Sequence, residues 1–407
     1  MTPLLQSVRP LTAPAAVLAA ATVLAAGDWG LPPTLDGLRE AGPYGVLAIA
    51  IAVAAWFNRG RALVFAASLL LAHAGLQLAA AAGGFVPQAV YVSVVVLVPA
   101  NVLLALLLAE RGVSHHYNYR WLLIAVAQMV LVAWIASSGR SAISGVAWQA
   151  MFDHWTLRAP PTPWIGRLMF AAAIAAAAWR AWPRQSPLEI GIGGALAAFF
   201  IACEWVARPG VFAVFLCATG AMLAVAVLQE SHRMAFNDEL TGLPGRRALQ
   251  ERLSALGPRY VLAMADVDHF KKFNDTHGHD IGDQVLKLVA ARLDEVEGGG
   301  RAYRYGGEEF TVLFANRSLE EALPHLERIR AAIEGYPMAV RSDDRPRDPE
   351  DGEKRRADGE PDKTLSVTIS IGAAEPDAKR RMPAQVLKAA DKALYRAKEA
   401  GRNRVDT

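Results

Sequence analysis

The sequence predicts an all-α, polytopic membrane domain followed by an α/β (α+β) domain, and three observations carry that prediction. The first is a split in charge. Up to Arg233 the chain holds 13 Lys and Arg, none of them lysine, against 8 Asp and Glu; beyond it stand 29 against 31. The second is a series of apolar stretches confined to the first half, near 11–27, 43–57, 62–82, 86–109, 121–137, 164–182, 188–206 and 210–228. The third is a switch, after residue 238, to alternating strand-length and helix-length patterns. The expected organisation is a transmembrane domain over 1–228 with about eight spans, a helical linker over 229–237 and a mixed α/β domain over 238–407.

Each apolar stretch is read as one span, since a hydrocarbon core of about 30 Å asks for roughly 20 apolar residues per helix. The stretches 11–27 and 43–57 are short by that measure. With the N-terminus inside, Arg9, Arg59, Arg61, Arg111, Arg120, Arg180, Arg184 and Arg233 fall on the cytoplasmic side; Arg39, Arg140, Arg158, Arg167 and Arg208 fall outside. That bias follows the positive-inside rule and puts the C-terminal domain in the cytoplasm. Leu11 to Gly27 ends in small residues and is also compatible with a cleaved leader, which leaves seven spans and the same final side. These arginines read as topology signals, so the basic balance gives no reason to expect nucleic acid.

Within the spans, His73 is a ligand-site candidate because polar groups there are costly, while Glu189 and Glu204 lie near span ends and are expected to reach the interface. Cys203 and Cys217 sit in apolar runs without metal or disulfide spacing and read as core residues. His115 and His116 are expected in an interfacial loop. The external loop 138–163, with Trp148, Asp153, His154 and Trp155, fits an aromatic belt. Gln229 to Asn237 contains neither Pro nor Gly, so the last span is expected to continue as one helix into the next domain.

In the second half, Tyr260 to Ala265 is an apolar run of strand length ending at Asp266-Val267-Asp268, where carboxylates meet the ligand crevice of an open α/β sheet. Arg301 to Phe314 reads as two strands joined at Gly306-Gly307, followed at once by Glu308 and Glu309. If that hairpin lies beside the first strand, three acidic groups meet. Such an oxygen-only cluster suits Mg²⁺ and the neutralisation of triphosphates for in-line attack. Phe270-Lys271-Lys272-Phe273-Asn274-Asp275 and Gly282-Asp283 supply an amide and a carboxylate of the kind that reads guanine. Lys398 and Arg402 are four apart and share a face if the helix from Pro383 persists, a cationic pair for terminal phosphates.

Gly306-Gly307-Glu308-Glu309-Phe310 resembles the signature hairpin of the GGDEF diguanylate cyclase family in its GGEEF form. Asp238-Glu239-Leu240-Thr241-Gly242-Leu243-Pro244 is similar to the family's opening motif, with Gly245 in place of the usual Asn. Asp266 through Asp283, and Ala397-Lys398 through Gly401-Arg402-Asn403, match its central and closing motifs. The resemblance implies a central mixed sheet whose hairpin carries the active site, and condensation of two GTP into cyclic di-GMP and two pyrophosphates. It implies Mg²⁺ held by Asp266, the Val267 carbonyl and Glu308, with Glu309 assisting. Glu308 also activates the 3′-hydroxyl, Asn274 and Asp283 read guanine with Phe270 and His279 nearby, and Lys271, Lys398 and Arg402 hold phosphates. Two domains must face each other, so a homodimer is implied.

Two departures stand out. Where the family has the Arg and Asp of its product-inhibition site, this chain has Glu297 and Gly300. A charged stretch, Arg341 to Lys363, is inserted before the strand Thr364 to Ile371 and reads as a surface loop. The sequence therefore points to a multi-pass protein of a bacterial inner membrane, in contact with lipid, with an unidentified sensory ligand and a cytoplasmic cyclase. The rivals are a catalytically silent GTP-binding domain and a transporter with an accessory cyclase.

Overall fold

The structure, a computed structural model, describes residues 11–27, 36–83, 86–110, 112–113, 119–138, 162–184, 186–339, 364–378 and 380–407. The loop with Trp148, Asp153, His154 and Trp155, the pair His115 and His116, and the insertion 341–363 lie outside the described residues. The chain divides into two compact units, Met1–His232 and Arg233–Thr407.

In the first unit the described residues form eight helices: α1 (Thr12–Ala26), α2 (Asp36–Trp56), α3 (Gly60–Ala82), α4 (Val86–Leu107), α5 (Tyr119–Ser138), α6 (Trp164–Arg184), α7 (Pro187–Glu204) and α8 (Pro209–Phe236). Five of them, α3, α4, α5, α7 and α8, are long and apolar enough to cross a membrane; α1 and α2 hold shorter apolar segments. A core around Phe65, Leu69, Phe170, Ile192, Leu196, Phe199 and Leu223 joins the bundle. Small residues allow close approach: a methyl on Gly191 of α7 would collide with Ala226 of α8.

Several charged groups inside this bundle are paired, which offsets the cost of a low-dielectric interior, whereas both ring nitrogens of His73 are buried without a hydrogen-bond partner among the described residues. Arg61 is buried at the start of α3, with Nε donating to the Ala105 carbonyl at 3.0 Å, Nη2 to the Leu108 carbonyl at 2.8 Å and Nη1 to Glu189 at 2.9 Å. Ser186 touches both Glu189 and Glu230, the latter at 3.1 Å, so the charged cluster extends to α8. Glu204 pairs with Arg167 at 3.3 Å. Both glutamates expected at the interface are thus taken up in ion pairs. His73 is buried between Tyr44 and Phe212, with ring centroids 4.6 and 6.1 Å away. Cys203 is buried and Cys217 half-buried, both free.

The second unit contains α9 (Arg246–Ser254), β1 (Tyr260–Val267), α10 (Phe270–His277), α11 (His279–Asp294), β2 (Gly300–Gly306), β3 (Glu309–Ala315), α12 (Leu319–Glu334), β4 (Met338–Ala339), β5 (Thr364–Leu365), β6 (Ile369–Ala374), α13 (Pro383–Glu399) and β7 (Val405–Asp406). The main sheet has the order β2-β3-β1-β6-β7, antiparallel except for the parallel β6–β7 pair, so it is mixed as the sequence predicts. The expected single strand from Thr364 to Ile371 is instead two: β5 pairs with β4 in a separate ribbon, and β6 enters the main sheet. An apolar pattern cannot show which partner each half will find.

The period-2 alternation of β1 assigns its faces. Val261, Ala263, Ala265 and Val267 pack with α11 and α12, whereas Tyr260, Leu262 and Met264 pack with α9 and α13. Asp266 continues the second set. On that face α13 lies directly on the sheet, because a methyl on Gly372 of β6 would collide with the α13 backbone at Ala390 and Leu394.

Candidate active site

The centre of the site is the cross-strand pair Asp266 and Glu309, which face each other in the β1–β3 register. The hairpin turn is Gly307-Glu308, one residue later than the two glycines suggest: Gly306 still pairs with Glu309, and only Gly307 has a positive φ, of 55°. Glu308 thus sits in the turn itself. A register shift between Arg304 and Gly306 bends the end of β2.

Burial raises the pKa of Asp266, Glu308 and Glu309, and the charge of Asp266 pushes up both glutamates. Asp391 on α13 adds to the effect at Glu309. The local positive charge comes from the closing segment. Lys398 Nζ is 2.8 Å from Asp266 Oδ1, and Arg402 also lowers the Asp266 carboxyl against the stronger effect of burial. Lys398 and Arg402 do not share one helix face, because α13 ends at Glu399. Gly401, Arg402 and Asn403 have φ of 108°, 63° and 45°, a left-handed turn that carries Arg402.

Among the described residues, no group of three or more His, Cys, Asp or Glu side chains is gathered so as to hold a metal ion. The donor set is nevertheless oxygen only, and its carboxylates are held above their usual range by burial and by one another. That chemistry fits a hard divalent cation.

The base-reading candidates lie on α10 and α11. Phe270 is buried at the start of α10, Lys271 is exposed beside it, and His279 and Asp283 are exposed in the first turns of α11. Asn274 is half-buried, and its Oδ1 is buried without a hydrogen-bond partner. A methyl on Gly282 would collide with that oxygen, so the glycine leaves room for the amide. Val267 is buried at the end of β1.

Three features gave no sequence signal that could be interpreted alone. Asp268, which the sequence places at the crevice with Asp266, turns inward: it accepts from Thr368 Oγ1 at 2.7 Å, Ser370 Oγ at 2.6 Å and the Asn403 N–H at 3.1 Å. Arg304 donates from Nη1 to Asp238 at 2.7 Å and from Nη2 to the Gly307 carbonyl at 2.7 Å. Glu297 is bound by Arg328 of α12.

Residues 235–350 and 356–404 match the family model described as diguanylate cyclase, GGDEF domain. The C-terminal unit therefore belongs to the GGDEF family. The response regulator PleD of Caulobacter vibrioides is 39% identical over 186 residues, covering 44% of this chain and 37% of PleD. Diguanylate cyclase DgcP of Pseudomonas aeruginosa is 40% identical over 187 residues, covering 44% of this chain and 25% of DgcP. This chain thus spans well under half of either relative. Among solved structures, the coiled coil and GGDEF domain of DgcB from Caulobacter crescentus in complex with c-di-GMP is 32% identical, covering 44% of this chain and 88% of that one, with a TM-score of 0.37.

Proposed function

We propose that this chain is a membrane-anchored diguanylate cyclase that condenses two GTP into cyclic di-GMP and two pyrophosphates under control of its helical first unit. The observation that carries the reading is the acidic centre Asp266, Glu308 and Glu309, set on adjoining strands and their turn, with Lys398 and Arg402 on its flank. A site of mixed sign, rich in carboxylate and flanked by cations, suits a metal-bound polyphosphate better than any neutral ligand.

In this reading Asp266, the Val267 carbonyl and Glu308 hold Mg²⁺, with Glu309 assisting. Held there, a divalent cation would neutralise phosphate charge and make the α-phosphorus more electrophilic. Glu308, with its carboxyl raised above the ordinary range, accepts the proton of the attacking 3′-hydroxyl. Asn274, whose Oδ1 lacks a protein partner, and Asp283 read the guanine edge, with Phe270 and His279 close by. Lys271, Lys398 and Arg402 grip the phosphates; Lys398 exchanges Asp266 for the ligand. One domain holds one GTP, so two copies must meet, and a homodimer through the C-terminal unit is part of the mechanism.

The first unit is assigned to a bacterial inner membrane, in contact with lipid, with the C-terminal unit in the cytoplasm and the input being a ligand of that first unit. α8 supports this, because it runs unbroken from the bundle to Phe236, immediately before the opening motif at Asp238. The full chain, reconstituted in bilayers with GTP and Mg²⁺, should release pyrophosphate and cyclic di-GMP. Glu308→Ala and Asp266→Ala should abolish both while leaving circular dichroism unchanged. GTP binding without turnover in the parent chain would instead establish a silent sensor of GTP.

A further inference from the structure

Arg402 is the only phosphate-binding candidate that stands on a left-handed backbone, with φ of 63°, and its neighbour Asn403 has φ of 45°. Two consecutive non-glycine residues in that region are held there only when surrounding contacts over-determine them. The contacts converge on Asn403. Its N–H donates to Asp268 at 3.1 Å, its Nδ2 donates to Glu334 at 2.7 Å, and its Oδ1 accepts from Arg330 at 2.7 Å. Arg402 itself is tied through its backbone: its N–H donates to the Ala397 carbonyl at 3.0 Å and its carbonyl accepts from Arg404 Nε at 3.3 Å.

Asp268 is the buried end of this arrangement. It is only 8% exposed, and its donors among the described residues are neutral: the hydroxyls of Thr368 and Ser370 and the backbone N–H of Asn403 satisfy its oxygens. Its own N–H donates to the Thr368 carbonyl at 2.9 Å, so the residue bolts the end of β1 to the start of β6. A buried carboxylate with neutral donors makes strong, short bonds, and removing one acceptor leaves a donor stranded.

We propose that Asp268 and Asn403 are positioning residues for the phosphate grip: together they hold the left-handed turn that aims Arg402 at the polyphosphate beside Asp266. The inference rests on the reading of the site as a GTP site. Neither residue touches substrate in this scheme. Asp268 therefore differs in kind from Asp266 two positions earlier, although the two flank Val267 at the end of the same strand.

The test uses the full chain in bilayers and measures kcat, the KM for GTP, and the inhibition constants of guanosine and inorganic tripolyphosphate. Asp268→Asn keeps the shape but replaces one acceptor oxygen by an NH2 group, so the three donors that Asp268 satisfies, the Asn403 N–H among them, compete for a single oxygen. The KM for GTP and the inhibition constant of tripolyphosphate should rise together by roughly tenfold, that of guanosine should not move, and kcat should stay within about threefold. In an Arg402→Ala background the same change should add nothing, since the group it positions is gone. Asn403→Gly retains the left-handed backbone while losing the Glu334 and Arg330 ties, so it should give the same phosphate-selective signature and serves if Asp268→Asn does not fold. The inference is overturned if guanosine and tripolyphosphate weaken alike, if the effect persists on top of Arg402→Ala, or if the folded variants match the parent. An inactive parent chain that also fails to bind GTP would overturn the GTP reading instead.

Discussion

Arg304 joins Asp238 to the hairpin turn at Gly307-Glu308: one arm of its guanidinium donates to the Asp238 carboxylate at 2.7 Å, and Nε and Nη2 donate to the Gly307 carbonyl at 3.1 and 2.7 Å. Asp238 is the second residue after α8, and it also accepts from the Thr241 N–H at 2.9 Å and hydroxyl at 2.7 Å. The residue that follows the long helix is therefore one side chain away from the residue that precedes Glu308.

Arg304→Lys keeps the charge but not the planar fork that serves two acceptors at once. It should lower kcat by roughly tenfold with little change in the KM for GTP, and destabilise the domain by about 1–3 kcal/mol in urea unfolding. A parent-like kcat would show that the tie does not hold the turn. Burial works against the Asp238 carboxylate, but hydrogen bonds from Arg304 and Thr241 carry its pKa below the usual range. Its stabilisation is therefore present above the unfolded pKa of about 4 and lost as pH falls through the lower folded value. Asp238→Asn should accordingly be less stable than the parent at neutral pH, and the gap should close in acid.

The acidic centre has the opposite sign. Asp266, Glu308 and Glu309 have raised pKa values, first through burial, so the folded domain keeps their protons to higher pH than the unfolded chain does. Their ionisation thus costs stability as pH rises from about 4 through the folded values. Glu309→Gln should raise Tm at neutral pH and give no gain in acid. Mg²⁺ should raise the Tm of the parent at neutral pH, and less so as the carboxylates protonate. A Mg²⁺ shift that is the same at acid and neutral pH would contradict the assignment.

Most of the second unit was legible because its signals are local. The apolar run at Tyr260, the acidic doublets and the glycine pair each mark a strand end or a turn within a few residues. What was not legible depends on contacts distant in sequence. Asp266 and Asp268 look alike in the chain, yet one faces Lys398 and the other is folded under Thr368, Ser370 and Asn403. The four-residue spacing of Lys398 and Arg402 suggested one helical face, but Gly401 ends that regularity with a φ of 108°. In the first unit, hydropathy located the helices well. It could not foresee that Arg61 would be buried against Glu189, because ion pairing between helices leaves no periodic trace.

Gly282→Ala should test the base pocket. The added methyl would collide with Asn274 Oδ1 and stand 3.3 Å from the Phe270 ring, so the amide must turn away. The KM for GTP should rise by roughly tenfold and discrimination against ATP should fall, because the proposed function gives base selection to that amide. Unchanged discrimination, measured as the ratio of kcat/KM values, would remove Asn274 from base reading.

Glu297 and Gly300 bear on feedback. Glu297 is already engaged by Arg328, and a side chain at Gly300 would crowd Phe314 and Val296 at 2.8 Å. Phosphate meets a carboxylate here, and the cation nearby is occupied. Added cyclic di-GMP should therefore inhibit only competitively with respect to GTP. A non-competitive pattern in a steady-state titration would show an allosteric product site on this surface.

Gly372 gives the site a ruler. Because α13 rests on the backbone of β6 with no side chain between them, the gap between the carboxylate side of the crevice and its lysine is set by main chain against main chain. A methyl at this one position would act as a shim under the helix, and the error would be passed along its last turn to Lys398, far out of proportion to the volume added.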